Sequence, residues 1–136
     1  MNRFPDKERA KSIMQNSIKD MKYTLSLKVC EESANTIIRN IYESFRMLGE
    51  AILLKKGIRP IDHINSVDEI LKLEIKTKRP LILLENLRRL RHNINYYGYK
   101  ANIYDAKESI GFAKDCFNEL SKRVNEIIEK WNIPVL

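Results

Sequence analysis

The stretch Ala34-Asn35-Thr36-Ile37-Ile38-Arg39-Asn40-Ile41-Tyr42-Glu43-Ser44-Phe45-Arg46-Met47-Leu48-Gly49-Glu50-Ala51-Ile52 decides the fold class. Its apolar residues Ala34, Ile37, Ile38, Ile41, Tyr42, Phe45, Leu48 and Ile52 recur at steps of three and four. That is the period of one helix face. The pattern predicts a helix of roughly 25 residues, ending at Lys55-Lys56-Gly57, where cations in the last turn and a following glycine are stop signals.

The same period continues in both directions. Upstream, Ala10, Ile13, Met14, Ile18, Met21 and Leu25 predict a helix from about residue 5 to the high twenties, with Pro5 in its first turn. Asp6 and Glu8 suit the positive end of that helix. Downstream, Ile58 to His63 reads as a loop, with His63 a loop side chain. The capping-box spacing Ser66-Val67-Asp68-Glu69 predicts a short helix from Ser66 to about Leu73. Lys76-Thr77-Lys78-Arg79-Pro80 breaks it, and Pro80 opens a fourth helix with Leu83, Leu87, Leu90, Ile94 and Tyr97 as its apolar stripe. Gly98 is placed to end it. A fifth helix runs from about Tyr104 to Trp131, with Ile110, Ala113, Cys116, Phe117, Leu120, Val124, Ile127 and Trp131 facing inward, closed by Asn132 and Pro134. No window alternates with period two, so no strand is predicted. The expectation is an all-α antiparallel bundle of four longer helices and one short one, a single domain over 1–136.

Composition narrows the class. The 136 residues are 43% hydrophobic, enough for one core, and 32% charged. No apolar run approaches the ~20 residues of a membrane span. The opening Met-Asn-Arg-Phe-Pro-Asp-Lys-Glu lacks the apolar region of a secretory signal. Cys30 and Cys116 are too few for a disulfide framework and read as small hydrophobes. These features predict a soluble, reduced, cytoplasmic domain with no membrane partner. Phosphate-loop, dinucleotide-binding, nucleophile-elbow and H-E-x-x-H motifs are all missing. With only His63 and His92, a histidine-rich metal site is out of reach, and neither metal nor cofactor is expected. Glu31, Glu32, Glu43 and Glu50 read as solvated.

Charge is concentrated. The chain carries a formal +7. Between Lys76 and Lys100 stand the cations Lys76, Lys78, Arg79, Arg88, Arg89, Arg91 and Lys100 against the single anion Glu85, a net +6. Tyr96, Tyr97 and Tyr99 share that window. Cations beside aromatics suit single-stranded nucleic acid, charge for phosphate and rings for stacking. The alternative is a solvated helix face with core tyrosines. Arg88, Arg91 and Asn95 fall on one helical stripe, and Arg89, His92 and Tyr96 on a second about 100° around it. Both flank the apolar stripe, where a second subunit or a substrate could cover them. The plain structural roles are an interhelical ion pair for Arg91 and a buried backbone hydrogen bond for Asn95.

The Ala51 to Gly57 turn, the Leu87-Arg88-Arg89-Leu90-Arg91-His92-Asn93-Ile94-Asn95-Tyr96-Tyr97-Gly98 run and the closing helix from Asp105-Ala106 together resemble the HEPN domain, the all-α module of prokaryotic toxin–antitoxin and defence systems. The resemblance covers roughly Asp6 to Val124. It implies a homodimer with an Arg-x4-6-His motif near the two-fold axis that cleaves RNA without a metal. Arg91 matches the arginine, which would bind phosphate charge, and the histidine would move a proton at the ribose 2′-hydroxyl. The chain departs from this pattern, because the histidine's place falls to Tyr96 or Tyr97 and no histidine follows His92. A tyrosine with an ordinary pKa near 10 is a poor base at neutral pH, but it donates a hydrogen bond to phosphate. Candidate catalytic residues are therefore Arg91, Tyr96 and His92. Arg88, Arg89, Asn95, Tyr97, Tyr99 and Lys100 are candidates for binding RNA or nucleotide. The resemblance also implies a minimal nucleotidyltransferase partner, which in some pairs modifies a tyrosine near the motif with AMP, here Tyr96, Tyr97 or Tyr99.

Three readings follow. The first is an RNA-directed protein acting as a metal-independent endoribonuclease or toxin. The second is a non-catalytic subunit that binds a nucleotidyltransferase and nucleotide or nucleic acid. The third is a basic helical dimer whose charge serves solubility alone.

Overall fold

Asp6 starts the first helix by accepting a hydrogen bond from the Arg9 backbone N–H at 3.0 Å, which satisfies one of the orphan donors of a helix N-terminus. The computed structural model describes residues 6–59 and 63–130. In these the chain forms α1 (Lys7–Leu25), α2 (Glu31–Lys55), α3 (His63–Leu71), α4 (Leu84–Tyr97) and α5 (Ile103–Lys130), with one 3-10 turn over Leu81–Leu83 ahead of α4. No strand occurs among the described residues. The fold is an all-α bundle.

The helix predicted from the opening stretch is the hub. Ala34, Ile37, Ile38, Ile41, Tyr42, Phe45, Leu48 and Ile52 are all buried, and α2 packs against α1, α3, α4 and α5. At its centre, the Phe45 ring lies 5.2 Å from both Phe112 and Phe117 of α5, edge-on to the latter. Such pairs add to the area term of burial. Gly49 lets α3 approach α2 at backbone distance. A Cβ there would lie 1.9 Å from the Ser66 carbonyl oxygen. Glu69 of α3 closes the seam with Lys56 and Lys72, each at 2.7 Å.

Between α3 and α4 the chain runs without regular structure from Leu73 to Pro80. Leu73 and Ile75 pack on the core while Lys76 and Lys78 face solvent. Arg79 pins the end of this segment to α5. Its Nε lies 2.9 Å from Asp115 Oδ2 and its Nη1 3.1 Å from Glu108 Oε2. The guanidinium crosses α5 over Gly111, where a Cβ would come within 2.6 Å of it.

Several expectations need correction. The short helix begins at His63, so Ser66 lies inside it instead of capping it, and it ends at Leu71 instead of Leu73. The tight α2–α3 seam at Gly49 buries Ser66 within the helix, and tertiary packing outweighs the local capping signal. His63 is thus a helix residue, not a loop residue. Pro80 opens the 3-10 turn, and α4 itself begins at Leu84. Ile18 is exposed, and the buried face of α1 uses Ser17 and Thr24 instead. Ser17 manages this by donating to the Ser44 carbonyl of α2 at 2.6 Å. Pro5, Trp131, Asn132 and Pro134 lie outside the described residues. No helix among the described residues is long and apolar enough to cross a membrane.

Candidate nucleic-acid interface

Helix α4 rests on α2 through Leu84, Leu87 and Ile94. Leu90 packs partly buried against the same core, and Asn86, Arg89, His92, Asn93 and Asn95 to Tyr97 are exposed. Gly98 ends it in the left-handed conformation (φ 67°), as its position predicts, a conformation that costs glycine little. The chain then turns through Tyr99 and Lys100 into α5.

The tyrosines of this run are not core residues. Tyr97, placed by its spacing on the apolar stripe, is 75% exposed, Tyr96 is 66% exposed and Tyr99 is 40% exposed. The physical reason lies in the packing. The stripe is covered by α2 at Leu87 and Ile94, and the Tyr97 side of the last turn receives no comparable cover. His92 joins the two rings. Its imidazole centroid is 4.7 Å from that of Tyr96 and 5.6 Å from that of Tyr97. Tyr104, in the first turn of α5, adds a fourth exposed ring.

Arg91 reaches across to α2. Its guanidinium carbon stands 4.6 Å from the centroid of the Tyr42 ring on α2. A cation over a ring is worth up to about 2 kcal/mol when desolvated. Burial pushes the Tyr42 hydroxyl up, against the opposing pull of a hydrogen bond from Arg91 and of its charge. Asn95 is not buried. It is exposed and accepts from Arg39 Nη1 at 3.4 Å. Arg88 pairs with Glu85 at 2.9 Å, and Arg89 bonds the Asn86 side chain within the same helix. Lys100 is exposed, with no carboxylate in ion-pair range among the described residues. Glu43 and Glu50, read as solvated, both hold Arg46.

The link to α5 is tightly organised. Asn102 and Asp105 cap each other: the Asp105 N–H donates to Asn102 Oδ1 at 2.8 Å, and the Asn102 N–H donates to Asp105 Oδ2 at 3.1 Å. This is the reciprocal pattern of a helix N-terminus. The Tyr99 hydroxyl donates to the same Oδ2 at 2.6 Å. That bond pushes the Tyr99 hydroxyl up, so it acts as a donor and not as a base. The Ala101 N–H donates to Asn35 Oδ1 of α2 at 2.9 Å.

A cleft of about 260 Å³ opens between α4 and α5. Leu83, Leu87, Leu90 and Phe112 line its apolar part, and Asn86, Asp105, Glu108, Ser109 and Arg79 its polar part. Cys116 lies outside this region. It is buried, its thiol donates to the Arg79 carbonyl at 3.3 Å, and burial pushes it up. It is therefore an unreactive thiol. Cys30 is half-buried at the start of α2, where its N–H donates to Ser33 Oγ at 3.0 Å. Among the described residues no three His, Cys, Asp or Glu side chains stand together to hold a metal.

The structure thus gathers Arg88, Arg89, His92, Asn95, Tyr96 and Tyr97 on the outward side of one helix, with Tyr99 and Lys100 just beyond its end. Arg91 is turned toward α2. Sequence reasoning missed Arg39, which lies on another helix, and Tyr104, whose only signal was its position four residues after Lys100. Compared with known proteins, the chain matches no family model, no curated protein and no solved structure.

Proposed function

We propose that this chain is a HEPN-like, RNA-directed protein that grips single-stranded RNA on the outward side of α4. The observation that carries the reading is the pair of exposed rings Tyr96 and Tyr97, both packed on His92, on the helix that also carries Arg88 and Arg89, with Arg39 bonded to Asn95 and Lys100 just past the helix end. Rings in water have no packing role, and each can stack a base for about 1–3 kcal/mol. Four phosphate contacts to a single strand give a salt slope near −3, or roughly a 50-fold loss of affinity between 50 and 200 mM salt. A homodimer joined across α4 would bring two such faces together and extend the track, and a cytoplasmic setting accords with an RNA partner.

The position of Arg91 separates two versions of this reading. Seated on Tyr42, Arg91 is engaged within the fold, which favours a binding subunit, such as the partner of a minimal nucleotidyltransferase. The exposed imidazole of His92, beside the Arg88 and Arg91 stripe, favours a metal-independent ribonuclease. In that case His92 moves the 2′-hydroxyl proton while Arg91 and Tyr96 meet the phosphate. The deciding experiment incubates labelled single-stranded RNA, with a DNA control, in EDTA with wild type, Arg91→Ala and His92→Ala. Cleavage of RNA alone, lost in both variants, establishes the nuclease. Intact RNA with salt-sensitive binding establishes the binding subunit. Absence of binding at 50 mM salt overturns the proposal.

A further inference from the structure

The basic window of the sequence is split in two by the fold. Arg88, Arg89 and Lys100 belong to α4 and its end, whereas Lys76 and Lys78 lie on the segment ahead of it, against α5. There they line a cleft of about 480 Å³ together with Lys114 of α5. We propose that this cleft binds phosphate groups through Lys76, Lys78 and Lys114, as an anion site separate from the α4 face. The charge in the cleft is one-sided. All three lysines are exposed, and none has a carboxylate in ion-pair range among the described residues. Two carboxylates also line the cleft, but each is matched by a cation outside that lining. Asp115 holds Arg79 Nε at 2.9 Å, and Glu119 lies 3.6 Å from Lys122 Nζ. Three ammonium groups are left without a counter-charge. A concave wall of one sign focuses the field and concentrates the opposite ion, and lysine serves phosphate as a point charge.

The backbone beneath the lysines is fixed. From Leu73 to Arg79 partly buried and exposed residues alternate, so Lys76 and Lys78 both stand on the outward side. Ile75 between them and α3 is seated on the core. The Lys78 N–H donates to the Asp115 carbonyl at 3.4 Å, and the Thr77 hydroxyl donates to the Arg79 carbonyl at 2.5 Å. With Arg79 pinned to α5, two of the three cations are in place before a ligand arrives, which lowers the ordering cost of binding. The lining also selects the part of a ligand it can take. It holds no ring and no large apolar side chain, so it has nothing on which a base could stack. Asn118 adds an exposed amide donor. The cleft therefore suits the phosphates of a ligand and not its bases.

Those phosphates can come from a free polyphosphate or from the backbone of a strand held on α4. Asp105, Glu108, Phe112, Asp115 and Glu119 recur at steps of three and four on α5, which places them along one face. The cleft lies about 20 Å along that face from the start of α5. At the stacked spacing of about 3.4 Å per nucleotide a trinucleotide covers about 10 Å and a dodecanucleotide about 40 Å, so only the longer strand reaches from α4 to the cleft.

Inorganic triphosphate, titrated to millimolar concentration and followed by amide NMR shifts of the full chain, tests the cleft without any strand. It is run on wild type, on the triple variant Lys76→Gln, Lys78→Gln, Lys114→Gln, and on the control Lys19→Gln, Lys22→Gln, Lys28→Gln, which removes the same charge from exposed lysines elsewhere. The expected result is shifts at residues 76–78 and 114–119, with affinity at least tenfold weaker in the first variant and unchanged in the control. No shifts at those residues, or an equal loss in the control, overturns the site. Fluorescence anisotropy with uridine trinucleotide and dodecanucleotide then identifies the source. A strand source predicts that the cleft variant weakens the dodecanucleotide about tenfold, spares the trinucleotide and lowers the single-strand salt slope by about 2. If both oligonucleotides bind the cleft variant as they bind wild type, the ligand is a free polyphosphate and the site stands. An equal loss for both lengths overturns the separation of the cleft from the α4 face. Triphosphate binding at the cleft with no oligonucleotide binding by wild type overturns the RNA reading and leaves the cleft standing.

Discussion

Helices α2 and α4 carry apolar stripes of the same period, yet they do opposite work. α2 is enclosed by four other helices, and its aromatic residues Tyr42 and Phe45 are buried. α4 is seated on α2, and its aromatic residues Tyr96 and Tyr97 project into water. A tyrosine in α2 strengthens a core, whereas a tyrosine in α4 adds nothing to one. The number of neighbours a helix has, and not its own amphipathicity, separates the element that builds the fold from the element that leaves its rings in water.

Substitutions should respect this division. Phe45→Ala removes the ring between Phe112 and Phe117, and loss of a fully buried aromatic should cost about 4 kcal/mol. Thermal unfolding should show the largest drop of the set. Gly49→Ala forces the Ser66 backbone away from α2, an overpacking effect of about 1–3 kcal/mol, seen as a smaller fall in Tm with α3 amides losing protection. Tyr96→Ala combined with Tyr97→Ala should leave Tm within about 2 °C, because exposed positions change stability by under ~0.5 kcal/mol. The same double variant should weaken single-stranded RNA binding by about 100-fold, from two stacked bases. A large Tm loss in that variant would break the comparison.

The smallest effect concerns acid. Burial pushes the Glu69 carboxyl up, but hydrogen bonds from Lys56 and Lys72 outweigh it and hold the carboxyl below its ordinary value of 4.5. A carboxyl lowered by folding stabilises the fold above that ordinary value and loses its contribution as pH falls through the lowered one. Glu69→Gln should therefore be less stable than wild type at pH 7. That gap should close as the pH is taken below about 4.5, as read by Tm against pH.

Most of the fold was legible because helix period and stop signals are local. The eight apolar positions of α2 and the stop at Gly98 needed no tertiary information. Where the reading failed, distant residues decided. Ser66-Val67-Asp68-Glu69 spells a cap, but packing of α3 on Gly49 placed the helix start three residues earlier. Tyr97 matched the stripe of α4, and only the arrangement of α2 and α5 reveals that nothing covers it. The candidate site was legible as a list of residue types. Its geometry was not, since Arg91 stands over Tyr42 and Asn95 bonds Arg39, both on another helix.

The bond from Ala101 to Asn35 bears on the thermodynamics of recognition. Residues 98–102, which join α4 to α5, are fixed to α2 and to the α5 cap as part of folding. Ordering one backbone residue costs about 1–2 kcal/mol of entropy. A free five-residue link would impose that loss at the moment a ligand arrives, and it would cancel several stacked bases. Here the link is preorganised, so on the proposed RNA reading the contacts of Tyr96, Tyr97 and Lys100 would carry over nearly undiminished into affinity.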